Sequence, residues 1–234
     1  MSDTSRGQEP NSRMRRHVAR HRGRYAVYLM GCLLFSTGAA FFIHADLGTD
    51  PLDVFALGLL EHAPLTIGIA QALVAVVCLA VWAGWNRRRP PVSPFVTFFL
   101  CGSVIDVLRA VDAAGLVPVR PGALMLVGVL LCTYGSALII MSGIGIRAMD
   151  LVAITMTHRW HWPFWAAKGS LELILLVTGY LLGGPVGLGT VCFLVLVDTL
   201  IQPCMWLNAR LFSLRNHGLD RPVPVSAEPG PATA

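Results

Sequence analysis

The stretch Leu65–Arg89, LTIGIAQALVAVVCLAVWAGWNRRR, decides the fold. From Leu65 to Asn86 it carries no charged residue, and a helix needs about 20 predominantly apolar residues to cross the hydrocarbon core of a bilayer. Three arginines then follow without a break. An apolar run that stops at a cationic cluster reads as a membrane span with its end on the cytoplasmic side.

Working outward, five further runs reach or nearly reach that length, at about 25–44, 94–112, 121–142, 163–183 and 188–208. Two shorter pieces, 51–62 and 148–159, are apolar on one side and too short to span. Pro51 favours a helix start at the first of them, with Asp50 as N-cap and Asp53 at the third helical position. The run Tyr25–Ile43 is too long for the apolar part of a signal peptide, and Arg15-Arg16 lacks a twin-arginine consensus, so an uncleaved first span is expected. The composition agrees. Of 234 residues 55% are hydrophobic and only 13% charged, with a mean hydropathy of +0.64, whereas soluble domains are about a quarter charged.

The net charge of +5 does not point to nucleic acid. Seven arginines (Arg6, Arg13, Arg15, Arg16, Arg20, Arg22, Arg24) precede the first span, where cytoplasmic retention and anionic lipid explain them. The six cysteines all fall inside apolar runs, with neither disulfide nor zinc spacing.

Topology follows from the cations. With the N-terminus and Arg87–Arg89 both inside, the crossings between them must be even in number, so 51–62 does not cross. Arg147, Arg159, Arg210, Arg215 and Arg221 then fall inside, and Arg109 and Arg120 outside. An eight-span alternative, with both short pieces crossing, would put Arg87–Arg89 outside. The expected fold is an all-α integral membrane protein of six transmembrane helices plus two short helices, either re-entrant or interfacial. The expected division is a disordered basic tail 1–24, membrane segments 25–113 and 121–210, and a disordered tail 211–234.

The two membrane segments align with each other. At an offset of 97, Gly38 meets Gly135, Ala40 meets Ala137, Gly48 meets Gly145 and Asp53 meets Asp150; after a gap at the 87–91 loop, Asp106 meets Asp198. Three crossings per half is odd, so the expected architecture is a 3+3 inverted repeat. That is a transporter plan in which interrupted helices of the two halves form the site near the midplane. The interruptions here are Gly48-Thr49-Asp50-Pro51 and Gly143-Ile144-Gly145-Ile146.

Ionisable residues inside spans are costly and usually paired or functional. Asp198, midway along its span, balances evenly between helix–helix hydrogen bonding and function; Asp106 favours the structural role. Lys168 and Glu172 stand four apart and can pair on one helix face, with Arg147 able to join Glu172. Asp50 and Asp53 have an ordinary capping role, or with Asp46 and His44 form an acidic outer mouth. His158 and His161, among Trp160 and Trp162, read as an interfacial aromatic belt, with no third ligand for a metal. Phosphate-loop, serine-elbow, zinc-protease and dinucleotide motifs do not occur, so no enzyme and no cofactor is expected.

At Leu47-Gly48-Thr49-Asp50-Pro51-Leu52-Asp53-Val54-Phe55, at Leu65-Thr66-Ile67-Gly68, and from Leu171-Glu172-Leu173 through Leu181-Leu182-Gly183-Gly184-Pro185-Val186-Gly187-Leu188-Gly189-Thr190, the chain resembles the YczE-like branch of the YitT/YczE bacterial integral membrane proteins. The resemblance runs over about 25–210 and implies a multi-pass protein of a bacterial cytoplasmic membrane, both termini inside. It brings no established site residues. Arg147 and Glu172 fit the family's pattern. Asp150 does not directly follow the arginine as the pattern has it, and Asp198 stands where a small residue is usual.

The expected function is that of a small secondary transporter or permease, with Asp50, Asp53, Asp106, Arg147, Asp150, Glu172 and Asp198 as candidates for a solute or ion pathway. The alternative is a non-transporting scaffold or accessory protein of a biosynthetic or envelope system. The bilayer is the first expected partner and an unknown small solute or ion the second. A protein partner or homo-oligomer stays open.

Overall fold

The structure, a computed structural model, describes the backbone of residues 9–116 and 118–211, and the side chains of those stretches except 9–22, 164, 165, 198, 202 and 211. Among the described residues every regular element is helical. These are α1 (Glu9–Ala45), α2 (Pro51–Leu60), α3 (Ile67–Asn86), α4 (Ser93–Ala110), α5 (Pro121–Ser142), α6 (Ala148–Trp160) and α7 (Phe164–Leu181). A last rod follows, made of α8 (Leu188–Cys192), a π-helical turn (Phe193–Val197) and α9 (Asp198–Leu211). Five helical stretches are long and apolar enough to cross a membrane: Gly23–Ala45, α3, α4, α5 and Leu188–Arg210. Where the sequence predicts a disordered tail to residue 24, α1 already starts at Glu9. Arginine, methionine and alanine are good helix formers, and extending a helix already nucleated by the span costs little. The rest of that tail, 1–8, and the C-terminal tail from 212 lie outside the described residues.

Helix ends follow the local chemistry. Asp50 caps α2, its carboxylate accepting from Asp53 N at 2.6 Å, and Pro51 occupies the first turn. Thr66 caps α3. Gly143, at φ 63°, ends α5 in the left-handed conformation. The start of α3 has a second, distant cap: the Asp106 carboxylate of α4 accepts from Ile67 N at 2.9 Å and Gly68 N at 2.8 Å. This bond pair meets donors that hydrocarbon could not satisfy, so Asp106 holds α3 to α4. Asp106→Ala is expected to lower stability by about 1–2 kcal/mol, read as a fall in the melting temperature of the detergent-purified protein. Asp106→Asn, which keeps one acceptor oxygen, should recover part of it.

α1 and α5 form the central pair and run antiparallel. Arg24 Nε donates to Ser142 O at 3.0 Å at one end, and Gly128 lies against Phe42 at the other. Between them glycines let the backbones touch: a Cβ on Gly31 would stand 2.9 Å from Gly135 O, and one on Gly38 2.8 Å from Gly128 O. Small residues at such crossings are how membrane helices gain contact without a hydrophobic driving force. α4 runs parallel to α1, joined by Tyr28 Oη to Thr97 Oγ1 (2.8 Å) and Ser36 Oγ to Cys101 O (3.0 Å). The last rod runs opposite to α1, with Phe193 against Phe42 and Asn208 Oδ1 accepting from Tyr134 Oη at 3.0 Å. The rod carries a π-turn at Phe193–Val197 and, further along within α9, Pro203, which lacks an N–H for the α ladder. Leu29, Leu33, Val76, Val77, Leu126, Leu130, Leu173 and Ile174 are exposed, as a lipid-facing surface requires.

The two short helices start inside the bundle. After Ser142, at the Arg24 end of α1, residues 143–147 turn back into the protein. Gly145 packs on Tyr28 and Thr97, and the Arg147 guanidinium lies 4.4 Å from the centre of the Phe35 ring. Phe35 stands eleven residues beyond Arg24, a helical rise of about 16 Å. From that depth α6 runs back to the face it came from: Arg159 Nη1 donates to Trp85 O at 3.1 Å, and the Trp85 and Trp160 rings are 5.3 Å apart. α2 mirrors this from the other face. Residues 46–50 fold inward past Gly189, whose N–H donates to Leu47 O at 2.6 Å, and α2 climbs out along α7, where Gly58 and Phe55 pack on Gly179. Reaching the same depth from opposite faces brings the starts of α2 and α6 together.

Candidate functional site

Where those two N-termini meet there is a cavity of about 20 Å³, room for about one water molecule. Asp50, Pro51 and Leu52 line it from α2; Arg147, Met149 and Asp150 from the start of α6; Lys168 and Glu172 from α7. Phe98 and Phe193 close its sides. A larger hollow of about 400 Å³ lies at the opposite end of α1, among His44, Arg120 and Leu124. It borders the surface loop between α4 and α5, where an ion pair, His44–Asp112 at 3.3 Å, is exposed. The small cavity is the stronger candidate because its charges are inside the protein.

Each charge there is held by the fold. Lys168 Nζ stands 3.3 Å from Glu172 Oε1, with side chains 13% and 7% exposed. Arg147, the residue at the N-terminus of α6, donates through Nη2 to Ser136 Oγ of α5 and stacks on Phe35 of α1. Asp50 uses one oxygen as the α2 cap. Directly behind it, on the first turn of α2, Asp53 is fully buried and accepts from Gln71 Nε2 of α3 at 2.7 Å. Such a set can bind and release a small charged group as its internal pairings exchange, at a depth where water is scarce and electrostatic interactions are strong.

Of the residues singled out in the sequence, Asp50, Arg147, Asp150 and Glu172 gather at the cavity, with Asp53 behind it. Asp106 stands elsewhere, at the α3 cap. The Asp198 side chain lies outside the described ones. The acidic outer mouth does not form: Asp50 and Asp53 are buried while Asp46 and His44 are exposed, because residues 46–50 fold inward. His158 and His161 end α6 beside the Trp85–Trp160–Trp162 cluster, and no metal-binding group occurs among the described residues. Gln71, the partner of Asp53 behind the candidate site, is the residue the sequence reading misses. Its signal was there: it is an amide inside an uncharged span, 97 positions before Lys168.

Five long apolar helices, exposed aliphatic side chains along them and two short helices meeting inside define a multi-pass helical membrane protein. The chain belongs to a family of unknown function (DUF6198), whose model matches residues 22–205. It is similar to the uncharacterized membrane protein YczE of Bacillus subtilis, 24% identical over 182 residues that cover 76% of this chain and 84% of that one. An uncharacterized protein of Haemophilus influenzae is 24% identical over 186 residues, 80% of this chain and 85% of its own. The uncharacterized protein YyaS of B. subtilis is 25% identical over 196 residues, 82% and 98%. No solved structure matches the chain.

Proposed function

We propose that the protein is a small secondary transporter of a bacterial cytoplasmic membrane, with its site between the starts of α2 and α6. The observation that carries this reading is the buried cavity, lined by charges of both signs, at the meeting point of two re-entrant helices. Interrupted helices meeting near the midplane are how many transporters build a solute site. A scaffold has no need of such a polar interior.

The inverted repeat belongs to the same proposal. α2 and α6 begin 97 residues apart, as do α3 and α7, and α1 and α5 end 97 apart. The packing also comes in exchanged pairs: α2 on α7 with α6 on α3, and α1 on α4 with α5 on α9. These pairings favour two halves related by a pseudo-two-fold axis through the α1–α5 contact. On this reading α7 is the sixth crossing despite Lys168 and Glu172, and both termini are cytoplasmic. Reporter fusions at the 87–91 and 113–120 loops are expected to fall on opposite sides of the membrane. A shared side would break the six-crossing scheme.

Room for one water makes this an occluded form, so a solute enters only when one half rocks against the other. In proteoliposomes a panel of small ions and charged metabolites should include at least one that drives counterflow and raises the melting temperature of the protein. A panel of anions, cations and zwitterions in which none does either would sink the transport reading.

A further inference from the structure

The two halves treat the aspartate in the first turn of their short helix differently. In the second half, Asp150 shares the cavity with Lys168, the residue 97 positions after Gln71. In the first half Asp53 stands at the matching position, and its partner from α3 is the neutral Gln71. Asp53 is fully buried, Gln71 serves Oδ1, and Oδ2 has no hydrogen-bonding partner among the described residues. Thr49 Oγ1, in the turn before the Asp50 cap, is also buried without a hydrogen-bonding partner among the described residues.

The charges around Asp53 do not close the gap. Asp50 lies on its own helix, and α4 presents Asp106 and Arg109. α7, which packs along α2, presents Lys168 and Glu172, which pair with each other. Asp106 is engaged by the α3 N-terminus, and Arg109 is exposed. Among the described residues that line the cavity, Asp50, Asp150 and Glu172 share it with Arg147 and Lys168. A buried carboxylate with neither a counter-charge nor a full set of donors is strongly disfavoured. Something positive belongs at Oδ2.

We propose that Asp53 Oδ2 is the seat of a single monovalent cation, a proton or a sodium ion, in the half where the neutral Gln71 stands at the position that Lys168 occupies in the other. That this cation couples to solute movement rests on the transport reading; its binding does not.

The test is a binding measurement on the purified full chain, with no flux involved. If the cation is sodium, NaCl raises the wild-type melting temperature above that in equal choline chloride, and Asp53→Asn loses the difference. If it is a proton, the wild type shows the infrared band of a protonated carboxyl at pH 7, absent in Asp53→Asn, and sodium has no specific effect. Gln71→Lys rebuilds the second-half arrangement and is expected to fold while abolishing whichever signal the wild type shows. Wild type with no sodium-specific shift and no band assignable to Asp53 would overturn the proposal. So would a folded Gln71→Lys protein that keeps the signal unchanged. Absence of transport with either signal present would leave the cation site standing and remove only its coupling role.

Discussion

Arg147→Ala is expected to cost about 3–5 kcal/mol of stability, the usual penalty for removing one side of a buried charge set. The side chain is tied in three directions at once: to Ser136 of α5, to the ring of Phe35 on α1, and by position to the acids of the cavity. Its loss leaves Asp50, Asp150 and Glu172 with Lys168 as the remaining lining cation. It also removes the cation–π contact, itself worth about 0.5–2 kcal/mol. Thermal unfolding in detergent reads the effect directly. Arg147→Lys should recover only part of the loss, because an ammonium cannot match the planar guanidinium over the ring while donating to Ser136. Any solute-dependent melting shift should vanish in both variants. If Arg147→Ala melts with the wild type, the guanidinium is not part of the buried charge set.

Gly48→Ala is the second large effect, and its cause is backbone rather than charge. Gly48 sits at φ 95°, a conformation that side-chain-bearing residues avoid, where the chain turns inward after α1. An added Cβ would fall on the Gly187 nitrogen and stand 2.7 Å from Thr190 Oγ1. Strain of about 1–3 kcal/mol adds to overpacking of about 1–3 kcal/mol, so a total of about 3 kcal/mol is expected, with loss of monodisperse protein. The neighbours that would have to move are themselves backbone, so little relief is available. Gly84→Ala is the control. It lies within α3 with nothing within 4 Å of an added Cβ, so it is expected to be neutral or to stabilise by up to about 1 kcal/mol. Equal melting temperatures for Gly48→Ala and Gly84→Ala would mean that the inward turn is not closely packed.

Much of the membrane plan is legible one-dimensionally because a bilayer imposes a length and a charge rule on every crossing. Leu65–Asn86 followed by Arg87–Arg89 needed no tertiary information to be read as a span, and α3 fills it. The short helix at Pro51 was likewise readable, since the Asp50 cap and the proline act within one turn. Gln71 and Lys168 were harder. A polar residue in a span announces that it has a partner, but not which one, and Asp53 and Gln71 meet only because α2 folds back against α3. Asp106 has the helix-to-helix role favoured for it, but its partners could not be named, because Ile67 N and Gly68 N are backbone groups that carry no sequence signature.

The sequence by itself determined that this chain is a multi-pass membrane protein, where most of its crossings lie and where glycine turns interrupt them. Those features follow from hydropathy, cation placement and local capping, all of which act over one segment at a time. Only the tertiary structure decided that the short helices start inside the bundle, and that Asp50, Arg147, Asp150, Lys168 and Glu172 share one small cavity. Depth and convergence depend on how far residues 46–50 and 143–147 travel back along α1 and α5. The glycine contacts between those helices fix that path, and they join residues about a hundred positions apart in the chain.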